Sequence, residues 1–256
     1  MTDDEMKRCP FCDEEIRVKA VICKHCHQWL PGYTYESAIR DLVIQKQVTE
    51  RRAVEAREAI SRDEQYEIAR NWARNGRNGS LRGFDLSVRD LSNLDFSGAD
   101  LRQVNFSDAD LSGTNLSEAN LSQANLFRAN LRTAKLIKCK LNEAYLRETL
   151  LEYADFSGSA MPRANLRGAA LNQAVLYRVD LEGANLKGTD LRNVNLRESY
   201  LKGTDLSGSK TEGAIFKGAL LIGVNLTDSD ITSFQYNQAG SLEGTTLPDG
   251  QMYKSS

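Results

Sequence analysis

From Leu81 to Ile231 every fifth residue is large and apolar with no slip of frame, Thr211 being the one exception. There are 31 such centres and 24 are Leu; the other apolar centres are Phe96, Phe106, Phe156, Met161, Phe216 and Ile231. An α-helix repeats every 3.6 residues and a strand every 2, so neither produces a strict period of five. Two positions before each centre the residues are mostly small, as at Ala99, Ala109, Thr114, Ala119, Ala124 and Cys139. Immediately before the centre, ten consecutive repeats from Asp85 to Asn130 carry only Asp or Asn, and the two positions after it are varied and polar. One large and one small inward residue per five describes a thin solenoid cored by a column of leucines. Cys139 falls in a small inward slot and reads as core.

The repeats resemble the pentapeptide-repeat family, whose consensus Ala-Asp/Asn-Leu-x-x is met by Ala109-Asp110-Leu111-Ser112-Gly113 and Ala184-Asn185-Leu186-Lys187-Gly188. The match covers about 155 of the 256 residues. The resemblance implies a mainly β fold, a right-handed quadrilateral β-helix with four pentapeptides per coil and one on each face. At the strand spacing of ~4.8 Å, nearly eight coils make a rod roughly 35 to 40 Å long. Its two ends are the exposed edges and need caps. At the first end, Ser61 and Glu64 have capping-box spacing, and Tyr66, Ile68, Ala69, Trp72 and Ala73 form a mostly apolar helix face; Trp72 reads as a cap residue. At the other, the frame is lost over 236–241, returns one residue late at Leu242 and Leu247, and stops at Pro248-Asp249-Gly250.

Leucine is nearly absent before the repeats, with 2 of 31 preceding residue 80. Cys9-Pro-Phe-Cys12 and Cys23-Lys-His-Cys26 are two C-x2-C pairs, and four thiolates at that spacing close a tetrahedral site. The expected cofactor is structural Zn²⁺ on Cys9, Cys12, Cys23 and Cys26, with a three-thiolate alternative in which His25 or His27 replaces one Cys. A closed site has no open coordination position, and metal binding supplies the folding free energy that so short a module lacks. The stretch is similar to a short zinc-ribbon family found at the ends of bacterial proteins; it has His27 where that family usually has Gly. Between module and repeats, Ile39, Leu42, Ala53, Ala56 and Ile60 fall on a heptad stripe interrupted by Lys46 and Thr49, which predicts a solvated helical spacer, with a homodimer through helix 35–60 as the sharper reading. Gly76 to Ser80 marks a boundary. The expected organisation is a zinc ribbon at 1–32, spacer and N-terminal cap at 33–78, β-helix and C-terminal cap at 79–250, and a tail at 251–256.

Charge and histidine content limit the functions. The net charge is −2, and both histidines, His25 and His27, precede the repeats, so the solenoid has no imidazole for general-base work. No phosphate loop or nucleophile motif appears, and no enzyme is expected. No run is apolar enough to span a bilayer and the start is acidic, which predicts a cytoplasmic chain without membrane partners. Residues 80 to 250 carry 21 acids and 18 bases, far from the dense negative charge that a DNA-mimic modulator of a type II topoisomerase needs. Residues 1 to 79 balance at 14 of each, which argues against nucleic-acid binding through the ribbon. The leading expectation is a protein-interaction or scaffold module.

Local departures from the repeat suggest where a partner binds. The residue before the centre becomes Lys135, Lys140, Tyr145 and Leu150 before returning to Asp155, so a whole coil breaks the Asp/Asn rule. The same region holds Arg128, Arg132, Lys135, Lys138 and Lys140 with no acid between Glu118 and Glu143. With four repeats per coil, Phe127 and Tyr145 fall on one face and Leu150 and Tyr153 on the next. These nine residues are the expected partner surface.

Overall fold

The computed structural model describes residues 6–8, 15–17, 47, 60–75 and 79–254. The chain divides into two compact units, 1–59 and 60–256. In the first, strands β1 (Met6–Arg8) and β2 (Glu15–Arg17) pair antiparallel, with Met6 opposite Arg17 and Arg8 opposite Glu15. Cys9, Cys12, Cys23, Cys26, His25 and His27, and the heptad stripe before Ile60, lie outside the described residues.

In the second unit the five-residue period becomes a four-sided coil. Parallel β-bridges join the residue before each centre to its counterpart twenty positions on, from Asp85 with Asn105 through Asp205 with Asn225, so four pentapeptides complete one turn. The repeat Asn105 to Ala109 shows how its backbone is satisfied. Asn105 N–H donates down to Phe84 O (2.8 Å), while Phe106 and Asp108 N–H donate up to Asn125 O (2.7 Å) and Phe127 O (2.8 Å). Ala109 N–H closes the corner onto Phe106 O (3.0 Å). One N–H of the five remains, that of Ser107, and the Asn105 side chain accepts it through Oδ1 (3.2 Å). The Asp/Asn preference therefore has a specific cause: the residue before the centre is the acceptor for the donor that the coil cannot pair.

Each corner also places the residue two after the centre in the left-handed region. Eighteen such residues are not glycine, among them Val88 (φ 62°), Arg128 (φ 54°) and Tyr153 (φ 63°). Inter-coil bonds on both sides of each corner hold these conformations, which a non-glycine residue visits at some cost.

The core is the expected column. Nearly every centre from Leu81 to Leu226 is fully buried, and full burial of such a side chain contributes about 1.5–3 kcal/mol. Polar residues in the small slots return their hydroxyls to the carbonyls of the column. Thr114 Oγ1 donates to Leu111 O (2.6 Å), Thr149 to Leu126 O (3.0 Å) and Thr204 to Leu181 O (2.9 Å). Cys139 is one of these slot residues: its Sγ donates to Leu116 O (2.7 Å), and burial pushes its thiol up to about 12.

The first edge is capped and the last is covered in part. Helix α1 (Arg62–Asn75) caps the first coil, and Trp72 stacks on Phe96 with ring centroids 6.1 Å apart. Three of its polar side chains take the place of a preceding coil. Gln65 Oε1 accepts Asp85 N–H (2.7 Å), Arg62 donates to Ser87 O (3.0 Å) and Tyr66 OH to Asp90 O (2.9 Å). Ala69 and Trp72 are buried as expected, but Ile68 is exposed and Gln65 is buried in its stead. The first coil presents backbone donors and acceptors as well as leucines, so the covering face has to be part polar. At the far end, helix α2 (Ser233–Tyr236) interrupts the solenoid with a complete capping box between Thr232 and Gln235. Beyond it the coil resumes one residue late, Leu220 bridging Ser241 and Asn225 bridging Thr246. The chain then turns at Gly250 (φ 81°) and runs back antiparallel, Met252 opposite Thr246, covering part of the last edge.

Candidate functional site

The Asp/Asn side chains do more than close their own turns. At several places where Asn stacks above Asp or Asn, its amide donates to the oxygen one coil below: Asn105 to Asp85 (3.0 Å), Asn115 to Asp95 (3.1 Å), Asn125 to Asn105 (3.0 Å) and Asn130 to Asp110 (3.0 Å). The donors all point toward the N-terminal end. The lowest coil carries Asp on all four faces, at 85, 90, 95 and 100, and two of these carboxylates are met from below, Asp85 by Arg62 (3.0 Å) and Asp100 by Ser80 (2.9 Å).

Between Lys135 and Leu150 these ladders stop. With Lys135, Lys140, Tyr145 and Leu150 in the acceptor position, the N–H groups of Ile137, Asn142, Arg147 and Glu152 have no acceptor among the described residues. One coil higher, Ala160 also lacks a side-chain acceptor, but the residue it would serve is Pro162, which has no N–H; farther along, Ala170, Val175, Tyr200, Lys210, Ile215 and Leu220 leave further turns without a side-chain acceptor, in runs of at most three, whereas at 135–150 all four turns of one coil lack it.

The register assigns each expected partner residue to a face. Phe127, Arg128 and Tyr145 share the second face, centred on Phe106, Leu126 and Leu146. The rings of Phe127 and Tyr145 lie 6.1 Å apart, and the Arg128 guanidinium sits 5.5 Å over Phe127. Arg132, Leu150 and Tyr153 are on the third face, centred on Leu131 and Leu151. Tyr153 is 56% exposed and accepts from Gln173 (3.0 Å). Lys135 and Lys138 fall on the fourth face, and Lys140 on the first. The positive charge is thus a collar around the rod, while the aromatic groups gather on the second and third faces. Arg128 pairs with Asp108 (2.8 Å) and Arg132 with Glu152 (2.9 Å), in each case across adjacent coils.

Two features were not anticipated from the sequence. Arg147, Arg167 and Lys187 stack in one column of the second face, and a reading at twenty-residue spacing would have found them. Near the C-terminal cap a groove of about 750 Å³ is lined by Arg197, Ile215, Phe216, Phe234 and Gln235 among others, with Phe234 exposed. The Thr232-x-x-Gln235 spacing that builds helix α2 was a readable signal for it. Farther down, Asp100 is held at about 2 by its hydrogen bond from Arg102, with Ser80 adding a second.

A four-sided β-solenoid with Asx-closed turns and capped ends defines a class of repeat protein. The chain belongs to the pentapeptide repeat family: the model described as "Pentapeptide repeat region" matches 89–156, and that described as "Pentapeptide repeats (8 copies)" matches 139–176, 161–198, 174–210 and 199–233. Its fold is the β-helix of that family, right-handed in its relatives. Among solved structures the chain is similar to HetL, a pentapeptide repeat protein involved in heterocyst differentiation regulation from the cyanobacterium Nostoc (28% identity, 73% of this chain and 98% of that chain, TM-score 0.28). It is also similar to QnrB1, a plasmid-mediated fluoroquinolone resistance protein (19% identity, 64% and 90%, TM-score 0.36). A third is a pentapeptide repeat protein from the Arabidopsis thaliana thylakoid lumen (24% identity, 59% and 74%, TM-score 0.22). No curated protein matches the chain. No helix among the described residues is long and apolar enough to cross a membrane.

Proposed function

We propose that this protein is a non-enzymatic interaction scaffold in which a zinc-stabilised N-terminal module is carried by a rigid β-helical rod. The observation that carries the reading is the mid-rod coil, where Lys135, Lys140, Tyr145 and Leu150 replace the acceptors that hold the turns below, leaving four successive backbone donors unpaired among the described residues, beside the half-buried Phe127–Tyr145 pair and the exposed Tyr153. Exposed Tyr and Arg on a rigid support are what a protein-binding hot spot needs. The interior of the rod is filled by its own side chains, which supports binding at the surface over catalysis in a cavity. For the module, support comes from the double C-x2-C spacing and from the pairing of Arg8 with Glu15, which flank the segment that carries Cys9 and Cys12. Four thiolates would hold Zn²⁺ as a fold-stabilising ion. The charge along the rod, 21 acids against 18 bases from 80 to 250, weighs against a duplex mimic.

The test is affinity capture with the full chain, a Tyr145→Ser/Tyr153→Ser variant and a chain lacking residues 1–32. Loss of a partner in the Tyr variant with retention in the truncated chain assigns it to the rod. Unchanged recovery in the Tyr variant refutes the mid-rod site.

A further inference from the structure

Several cations of this rod pair with an acid one coil away, while others, among them Lys135, Arg197 and Lys217, make no ion pair with a described residue; the longest stack of neighbouring cations is on the second face. Arg128 pairs with Asp108, Arg132 with Glu152, Arg163 with Glu143, Arg178 with Glu198 and Lys202 with Glu182, each with an acid one coil away. On the second face the corresponding neighbours are Arg147, Arg167 and Lys187, one above another at about 4.8 Å per coil. Arg147 reaches Glu148 (3.4 Å) and Tyr145 OH (3.1 Å) within its own turn. Arg167 and Lys187 make no ion pair with any described residue. Nearby acids are already engaged, Glu152 by Arg132 and Asp190 by Arg192. Like charges stacked across paired strands destabilise a sheet, so this column opposes the fold of the isolated rod. An anion laid along the column would remove that repulsion.

The surface beside it shows what shape of anion fits. The left-handed corner positions next to Arg167, Lys187 and Ser207 are Gly168, Gly188 and Gly208, where many other corners carry a side chain. A Cβ at Gly188 or Gly208 would meet nothing within 4 Å, so packing inside the rod does not require glycine there. Above the Glu148 corner, whose carboxylate is held by Arg147, a strip without corner side chains runs beside Arg167 and Lys187, with Tyr145 and Phe127 below it, and admits a narrow chain lying parallel to the rod axis.

We infer that the second face, from Tyr145 to Lys187, is a docking strip for an extended acidic segment of a partner protein, bound through Arg147, Arg167 and Lys187. The inference rests on the reading of the rod as an interaction module and specifies its partner's chemistry. An acidic peptide is favoured over nucleic acid because a polyanion as wide as a duplex would overlie Glu143 and Glu182 on the first face and Glu152 and Asp190 on the third. A single strand of peptide avoids those four acids and meets on the second face only Glu148, which Arg147 already pairs, and the aromatic pair at its end suits an apolar side chain of the same segment.

The experiment measures fluorescence anisotropy of a labelled alternating Glu-Ser peptide against the full chain at low salt. The Arg167→Gln/Lys187→Gln variant is expected to bind about tenfold more weakly, since two of the three cations are gone. Lys210→Gln/Lys217→Gln, which removes as much charge elsewhere on the rod, is expected to leave binding unchanged. The first variant is also expected to melt at a higher temperature than the parent at low salt and at the same temperature at high salt, because its column no longer repels itself. Equal weakening by both variants, tighter binding of a thymidine oligonucleotide of the same charge, or a lower melting temperature for the first variant overturns the inference. If peptide binding is absent while a Tyr145-dependent partner is still captured, the acidic strip falls and the scaffold reading stands.

Discussion

The cap offers a sharp test of how this rod is held together. Gln65 is 8% exposed, accepts the Asp85 N–H (2.7 Å) and donates to Ile60 O (3.0 Å), so it performs for the first coil what a preceding coil does for every other. Gln65→Leu preserves its bulk and removes both polar atoms. Leaving the Asp85 N–H without a partner costs about 1–3 kcal/mol and loss of the second bond about 1 kcal/mol, offset by about 1 kcal/mol of added apolar burial. A net loss of about 2 kcal/mol raises the local opening constant about 30-fold. Because each coil contacts only its neighbours, the effect is local. Amide hydrogen exchange read by mass spectrometry is expected to quicken about 30-fold in peptides from 81–100 and to be unchanged beyond 161. Gln65→Glu, which keeps an acceptor, is expected to show a smaller increase. Uniform acceleration along the rod would refute the nearest-neighbour reasoning, and no acceleration would refute the role given to Gln65.

Further predictions concern titration, reactivity and metal. Asp100 is lowered from 3.8 to about 2, so its contribution to stability is complete above pH 4 and is lost as pH falls through 2. The contribution is about 1 kcal/mol after solvent screening, and Asp100→Asn should abolish that part of the acid dependence of the melting temperature. The Cys139 thiol, buried and pushed up to about 12, should resist iodoacetamide at neutral pH until the rod unfolds. Rapid labelling in native protein would contradict its place in the core. Purified protein should contain one zinc per chain, lost in Cys12→Ser/Cys26→Ser. Melting of the β-helix, followed by far-ultraviolet circular dichroism, should be the same in that variant.

The period of five made the solenoid legible because only inward positions are constrained by size, and size is what a sequence shows most directly. The position before the centre was legible as a pattern but not as a mechanism, since its Oδ1 to N–H bond is visible only once the coil is closed. Three things were hidden. Left-handed corners at Arg128 or Tyr153 carry no glycine signal, because the coils above and below impose the conformation. Gln65 gave no apolar signal in a helix judged by its apolar face, and yet the edge it covers is polar. The five cations of the collar look like one patch in sequence because they lie within thirteen residues, but thirteen residues span more than half a coil and face all four directions.

Register has a consequence for how such a chain tolerates length changes. With four repeats to the turn, removing twenty residues shortens the rod and leaves every remaining residue on its own face. Removing five turns everything downstream through a quarter revolution, and removing one throws the core outward. Insertions and deletions are therefore quantised by the core in steps of five, and of those only steps of twenty keep intact a surface assembled over several coils. The chain's own slip of a single residue follows helix α2, just before Ser241, where only the last part-coil remains to be put out of phase.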